Sequence, residues 1–198
     1  AHVESADYSK ACAGVAVADS PVGPFIYQGS FRPNNAMSRD QTVFVDDDGR
    51  AYQFYSSENN ETMYISLLTD DYLKPSGRFT RNFVKESREA PAVFKYNGKY
   101  YLSYSDNHDE NWNDGVKGDN RMRYAVSDSP LGPWESKGIY MEPTDSYTNH
   151  GSIVEFKGQW YSFYHNSALS GHDWLRSICV DKLYYNPDGT IKMVKQTK

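Results

Sequence analysis

The chain has 198 residues, with 21 Lys and Arg against 26 Asp and Glu, and so carries a formal net charge of −5. Mean hydropathy is −0.77, and no apolar run reaches the roughly 18 residues of a membrane-crossing helix. No cluster of Lys and Arg offers a footprint for nucleic acid or an anionic membrane, so neither is expected as a partner.

The chain opens Ala1-His2-Val3-Glu4, without the charged and apolar regions of a signal peptide, and reads as the middle of a longer polypeptide. Cys12 and Cys179 lie in hydrophobic stretches with no CxxC spacing, and are expected as reduced core thiols. Short alternating or apolar runs bounded by Gly, Pro, Asn and Asp recur throughout, while amphipathic helical windows are scarce. That is the pattern of an all-β chain. Internal repeats sharpen it. Asp19-Ser20-Pro21-Val22-Gly23-Pro24-Phe25 returns 109 residues later as Asp128-Ser129-Pro130-Leu131-Gly132-Pro133-Trp134. A hairpin recurs three times, at Val43 to Tyr55, Val93 to Tyr104 and Ile153 to Tyr164, with turn glycines Gly49, Gly98 and Gly158 spaced 49 and 60 residues apart. Two hairpin strands and two more before the next copy make a four-stranded unit of about 50 residues, the size of a β-propeller blade. The expected fold is therefore a single partial propeller: an incomplete blade over residues 1–32, then blades over 33–85, 86–142 and 143–198. Rings close with roughly four to eight blades. About three and a half blades make an incomplete ring, expected to be completed by missing N-terminal blades or by a second chain.

Repeats separate architecture from chemistry. Trp134 matches Phe25 and Trp160 matches Tyr100, so both tryptophans are expected in blade packing. Trp112 and Trp174 have no counterpart and sit in polar loops, where they suit stacking on a sugar ring. Counting back from the turn glycines brings Asp40, Glu89 and His150 into one register, at the start of each innermost strand and hence at one mouth of the central channel. A carboxylate pair there is an acid–base device, because charge and burial raise one pKa until that group donates a proton near neutrality. Asp46-Asp47-Asp48-Gly49 is a hairpin turn and no EF-hand, since no glutamate closes a 12-residue loop. His150 suits a metal ligand, a water positioner or a neutral hydrogen-bonding residue, and no zinc pattern accompanies it. His108, His165 and His172 are expected as ordinary loop or strand histidines.

These motifs together resemble a known family. Ser87-Arg88-Glu89-Ala90-Pro91 ahead of an Asn-Gly hairpin, the Asp128 to Trp134 motif, and Thr148-Asn149-His150-Gly151-Ser152-Ile153-Val154-Glu155-Phe156 are similar to glycoside hydrolase family 43. That family comprises five-bladed β-propeller enzymes acting on arabinans, xylans and galactans. The N-terminal half resembles the exo-β-1,3-galactanase branch, and the segment from Thr148 to Asn166 the xylosidase and arabinofuranosidase branch. The resemblance implies Glu89 as general acid and Asp40 as the carboxylate that raises and orients it. It implies His150 as an axial histidine beside a structural calcium or ordered water, with no cofactor required, and Arg176 as a last-blade arginine reaching the sugar. It also implies inverting hydrolysis of an oligo- or polysaccharide by a secreted or periplasmic parent enzyme. The general base carboxylate on the family's first blade has no match here, and Gln41 lies outside the register for an amide in that role. The chain alone is therefore expected to hydrolyse weakly or not at all. The alternative is a non-catalytic carbohydrate-binding propeller fragment, in which Asp40 and Glu89 only hydrogen-bond hydroxyls.

Overall fold

A computed structural model describes residues 1–58, 60–81, 84, 87, 89–106 and 120–197. The runs Ala51–Ser57 and Lys99–Ser105 put mostly aromatic, aliphatic or small side chains on both faces of a strand. Strands of that kind need cover on both sides, and both are buried almost throughout. Their neighbours supply that cover by stacking sheet on sheet.

Among the described residues, fourteen strands form four antiparallel sheets. The first sheet holds β1 (His2–Val3), β2 (Cys12–Val17) and β3 (Ile26–Phe31). The second holds β4 (Arg39–Val45), β5 (Ala51–Ser57), β6 (Thr62–Leu68) and β7 (Pro75–Arg81). The third holds β8 (Glu89–Tyr96), β9 (Lys99–Ser105), β10 (Met122–Ser127) and β11 (Glu135–Met141). The fourth holds β12 (Ser152–Phe156), β13 (Gln159–Asn166) and β14 (Ser177–Leu183). Each sheet is a meander in chain order. Contacts between sheets run from β1 to β4, from β4 to β8 and from β8 to β12, so the first strand of every sheet lies along a common axis. This is the expected all-β architecture, a propeller present in part.

The third sheet shows how the stack is held. Tyr100, Leu102 and Tyr104 pack with Tyr52, Phe54 and Ile65 of the second sheet, and Trp134 meets the Phe54 ring edge-on at 6.0 Å. On the other side Phe94, Tyr101 and Tyr124 pack with Ile153, Tyr164 and Leu183 of the fourth. Trp160 lies in the same seam, 5.3 Å from Phe94 between ring centres. The segment after β14 folds back to lock this seam. Tyr185 stacks on Tyr96 at 3.7 Å, Ile191 N–H donates to the Tyr124 hydroxyl at 3.0 Å, and Val194 N–H donates to the Tyr140 carbonyl at 2.8 Å.

The Asp19 and Asp128 motifs fold alike. The Gly23-Pro24 and Gly132-Pro133 bonds are both cis, and Gly23 and Gly132 each donate N–H to the serine carbonyl three residues back at 2.9 Å. Their last residues differ in surroundings: Trp134 is 9% exposed against 61% for Phe25, because only Trp134 is covered by the neighbouring sheet. Cys12 and Cys179 are free thiols and each is half-buried; Cys179 packs against the core between the third and fourth sheets.

Asp46 pins the second sheet to the third, accepting from the Tyr100 hydroxyl at 2.5 Å and from Lys95 Nζ at 3.0 Å. Burial alone would raise its pKa, but these donors outweigh burial and hold the carboxyl below its ordinary value. A folded-state pKa below the unfolded one adds stability above the ordinary carboxylate range near pH 4, and that stability is lost as pH falls through the lower folded value. Asp46→Asn is therefore expected to lower the urea midpoint at pH 7 and to cost progressively less towards pH 3. Denaturation curves across that range check this, and a loss independent of pH contradicts it.

Candidate active site

Where the inner strands begin, the ladders are irregular in a matched way. Pairing steps from Arg39↔Ser56 to Thr42↔Phe54 in the second sheet, and from Glu89↔Ser105 to Ala92↔Ser103 in the third. Each step skips a residue in the left-handed region, Asp40 at φ 47° and Ala90 at φ 59°. Bulges of this kind re-aim side chains at strand ends. Regular pairing in the fourth sheet starts at Ser152↔Phe163. Asp40, Ala90 and His150 thus each stand two residues before the first regular pair, while Glu89 stands three before it, level with Arg39. The expected common register of Asp40, Glu89 and His150 is corrected accordingly: Asp40 and His150 are equivalent, and Glu89 is offset by one. The cause is turn length offset by ladder length. Asp46 to Arg50 join β4 to β5, whereas Asn97 and Gly98 alone join β8 to β9, which puts two more residues ahead of Gly49 than ahead of Gly98. The regular ladder of β4, Thr42 to Val45, is one residue shorter than that of β8, Ala92 to Tyr96, so counting back from the two glycines ends one residue apart.

Offset or not, these residues head adjacent strands at the same end of the axis. His150 is reached by solvent at the mouth but flanked by protein, and that flanking burial pushes its imidazole below the ordinary value. The negative charge of Asp40 opposes the shift and the positive charge of Arg176 reinforces it. His165 lies 2.8 Å through Nε2 from the Thr148 carbonyl. A carbonyl only accepts, so Nε2 carries the proton. Burial lowers the His165 pKa too, with Arg176 and His150 adding to the effect. Asp40, His150, His165 and Arg176 therefore share one electrostatic field, and at neutral pH both histidines are uncharged within it.

Glu89, at the head of β8, accepts a hydrogen bond on Oε2 from Asn60 Nδ2 at 2.8 Å. Arg39, its counterpart in the second sheet, turns towards the first sheet instead: Nη2 donates to the Tyr8 carbonyl at 2.8 Å and lies 3.5 Å from Glu4 Oε2. The Ala11 N–H and further donors on Glu4 outweigh burial and push its pKa down to about 2. Arg176 Nε donates to the Asp173 carbonyl at 2.8 Å. Beside it Trp174 stands 82% exposed, with its ring open to solvent. Trp112, Arg88 and His108 lie outside the described residues.

A cavity of about 430 Å³ runs between the inner strands, lined by Gln41, Pro91, His150, Ser152, His165 and Ile178. A larger one of about 570 Å³ lies at the far ends of β8 to β11, beside Lys99, Asp128 and Asp188, away from Glu89 and His150. Among the described residues no group of three or more His, Cys, Asp or Glu side chains converges on a metal position. Asn60 is the site residue that the sequence did not mark. It lies in an ordinary polar turn, and its bond to Glu89 crosses from one sheet to the next.

Comparison with known proteins places these features in context. The model of the family described as glycosyl hydrolases family 43 matches residues 3–191. A β-xylosidase of Xylanibacter ruminicola is 34% identical over 92% of this chain and 66% of its own length. Among solved structures, a β-xylosidase/α-arabinofuranosidase from a compost microbial metagenome, in complex with xylotriose and in calcium-free form, is 34% identical with a TM-score of 0.74. The match covers 91% of this chain and 64% of that one. A β-1,3-galactosidase with galactodeoxynojirimycin is 27% identical with a TM-score of 0.78, over 96% and 68% of the two chains. The chain thus spans just under two-thirds of the first two proteins.

The charges around His150 give an experimental signature. Because the Arg176 cation lowers the imidazole pKa and the Asp40 anion raises it, Arg176→Ala is expected to move the His150 titration up in pH and Asp40→Asn to move it down. NMR titration of the ring resonances reads both. Shifts of the same sign, or none, contradict the arrangement.

Proposed function

Because the chain belongs to glycosyl hydrolase family 43, we propose that the protein carrying it hydrolyses glycosidic bonds in plant-type glycans, with Glu89 as general acid and Asp40 as the charge that tunes it. The observation that carries this proposal is the grouping at one mouth: the Glu89 carboxyl held at the head of β8, and Asp40, a neutral His150 and Arg176 interacting beside it. A glycosidic oxygen is a poor leaving group until protonated. Glu89 supplies that proton, and the adjacent Asp40 anion disfavours a second negative charge, which keeps Glu89 protonated to higher pH. His150, uncharged, offers a hydrogen bond to a sugar hydroxyl without competing for the proton. Arg176 supplies a cation for hydroxyl oxygens, and Trp174 a face for the sugar ring.

The reaction proceeds with inversion, by direct attack of water on the face opposite the acid. In such sites the two catalytic carboxyl groups stand roughly 6.5–9.5 Å apart. None of the described residues is assigned as the base. Relatives at 34% identity are named for xylosides and arabinosides, which favours terminal pentosyl units as substrate, with galactosyl units second. Among the described residues no three His, Cys, Asp or Glu side chains converge on a metal position, which does not match the six to eight oxygens that calcium takes. The uncovered face of the last sheet carries Val154, Phe163, Ile178 and Val180, all exposed, and borders the cavity at Phe163 and Ile178. It suits a further antiparallel sheet, supplied by the rest of the polypeptide or by a second chain.

The test compares leaving groups. Glu89→Gln is expected to lower kcat/KM on xylobiose about 10²–10⁴-fold and to spare much of the rate on an aryl xyloside whose phenolate leaves without a proton. Proton NMR should show the inverted anomer released first. An equal loss on both substrates, or a retained anomer, removes Glu89 from the acid role or inversion from the mechanism. Binding of xylotriose with no turnover of any glycoside would identify a binding module.

A further inference from the structure

The hydrogen bond from Asn60 to Glu89 crosses from the β5–β6 turn of the second sheet to the first residue of β8 in the third. The turn is built to present it. Glu61 N–H donates to the carbonyls of Ser57 at 3.1 Å and Glu58 at 3.3 Å, and Glu58 and Asn60 take the left-handed conformation, at φ 50° and 67°. Among residues with side chains, Asn and Asp tolerate that conformation best, because the short polar side chain hydrogen-bonds locally. That backbone favours Gly, Asn or Asp at position 60. Of these three, only Asn carries an N–H donor at its tip.

We propose that Asn60 is a positioning residue for the proton donor, fixing which oxygen of Glu89 carries the proton; this rests on Glu89 being the general acid. The oxygen of a protonated carboxyl that accepts best is the carbonyl-like one. With Asn60 Nδ2 donating to Oε2, that oxygen is the acceptor, and the hydroxyl proton belongs on Oε1. The same bond also responds to the reaction. As the proton leaves Oε1, negative charge grows on the carboxylate, and an N–H donor bonds more strongly to an anion than to a neutral acid. The amide thus favours proton release, while Asp40 restrains it.

Among the described residues, charged groups flanking this contact are themselves paired. Asp106 follows Ser105, the ladder partner of Glu89, and lies 2.6 Å from Arg123 Nε and 3.6 Å from Arg121 Nε. Glu58, in the same turn as Asn60, lies 3.4 Å from Arg81 Nη2.

Two variants suited to the left-handed backbone test the role. Asn60→Gly keeps the turn and removes the amide; Asn60→Asp keeps size and conformation but faces Glu89 with a negative acceptor. The readout is the titration of Glu89 itself, in chain labelled with glutamate carrying ¹³C at the side-chain carboxyl and assigned by loss of the resonance in Glu89→Gln. Loss of a donor to the charged form raises a carboxyl pKa, and an added neighbouring anion raises it further. The Glu89 pKa is expected to rise by about one unit in Asn60→Gly and by more in Asn60→Asp. The basic limb of kcat/KM should move up in step, with a larger fall in rate on xylobiose than on an aryl xyloside. An unmoved Glu89 titration in both variants overturns the proposal, even if activity falls. If the unaltered protein turns over no glycoside, the acid role of Glu89 fails separately, and the titration still decides whether Asn60 governs its proton.

Discussion

The third sheet is covered on both faces, and the rest of the structure follows from that. Tyr100, Leu102 and Tyr104 fill one seam and Phe94, Tyr101 and Tyr124 the other, so the second and fourth sheets are held at fixed positions on either side. Each buried aromatic side chain removes a large apolar area from water. With the sheets stacked face to face, the first strand of each lies along the axis. The heads of β4, β8 and β12 then open at the same end, and three residues far apart in the chain become neighbours.

That convergence is useful because the groups differ. A carboxylic acid asked to donate a proton near neutrality needs its charged form disfavoured, but it must also release the proton when the leaving group demands it. In the proposed mechanism Asp40 supplies the first condition as a nearby anion, and the Asn60 amide the second. Arg176 and burial keep His150 neutral beside them. The matched bulges at Asp40 and Ala90 turn the strand ends alike, and Glu89 and Asp40 come from ladder positions one residue apart. Two carboxylates at identical positions on neighbouring strands would face the channel in the same way. The one-residue offset gives them different surroundings.

Much of the architecture was legible in the sequence because propeller blades repeat. Turn glycines, paired aromatics and the two Pro-containing motifs recur at blade spacing, and the tryptophans with counterparts in those repeats, Trp134 and Trp160, lie in the seams between sheets. Register was less legible. Counting from Gly49 and Gly98 assumes equal turns, and the three extra residues between β4 and β5 sit on both sides of Gly49. Asn60 was invisible for a different reason. An Asn in a polar turn is ordinary in sequence, and its importance comes from a contact with a residue 29 positions away in another sheet. The half-exposed thiol of Cys12 makes the same point from the other side, since apolar flanks in sequence describe a strand and not which of its faces is covered.

The central claim is that inter-sheet packing brings the Glu89 carboxyl, the Asp40 carboxylate and His150 to a single sugar-binding mouth. A crystal structure of the Glu89→Gln protein soaked with xylotriose tests it most directly. The account predicts a sugar bound at the heads of β4, β8 and β12, with a glycosidic oxygen roughly 3 Å from the residue-89 side chain, on the side away from Asn60. A sugar held only in the larger cavity beside Lys99, Asp128 and Asp188, with the mouth empty, would contradict it.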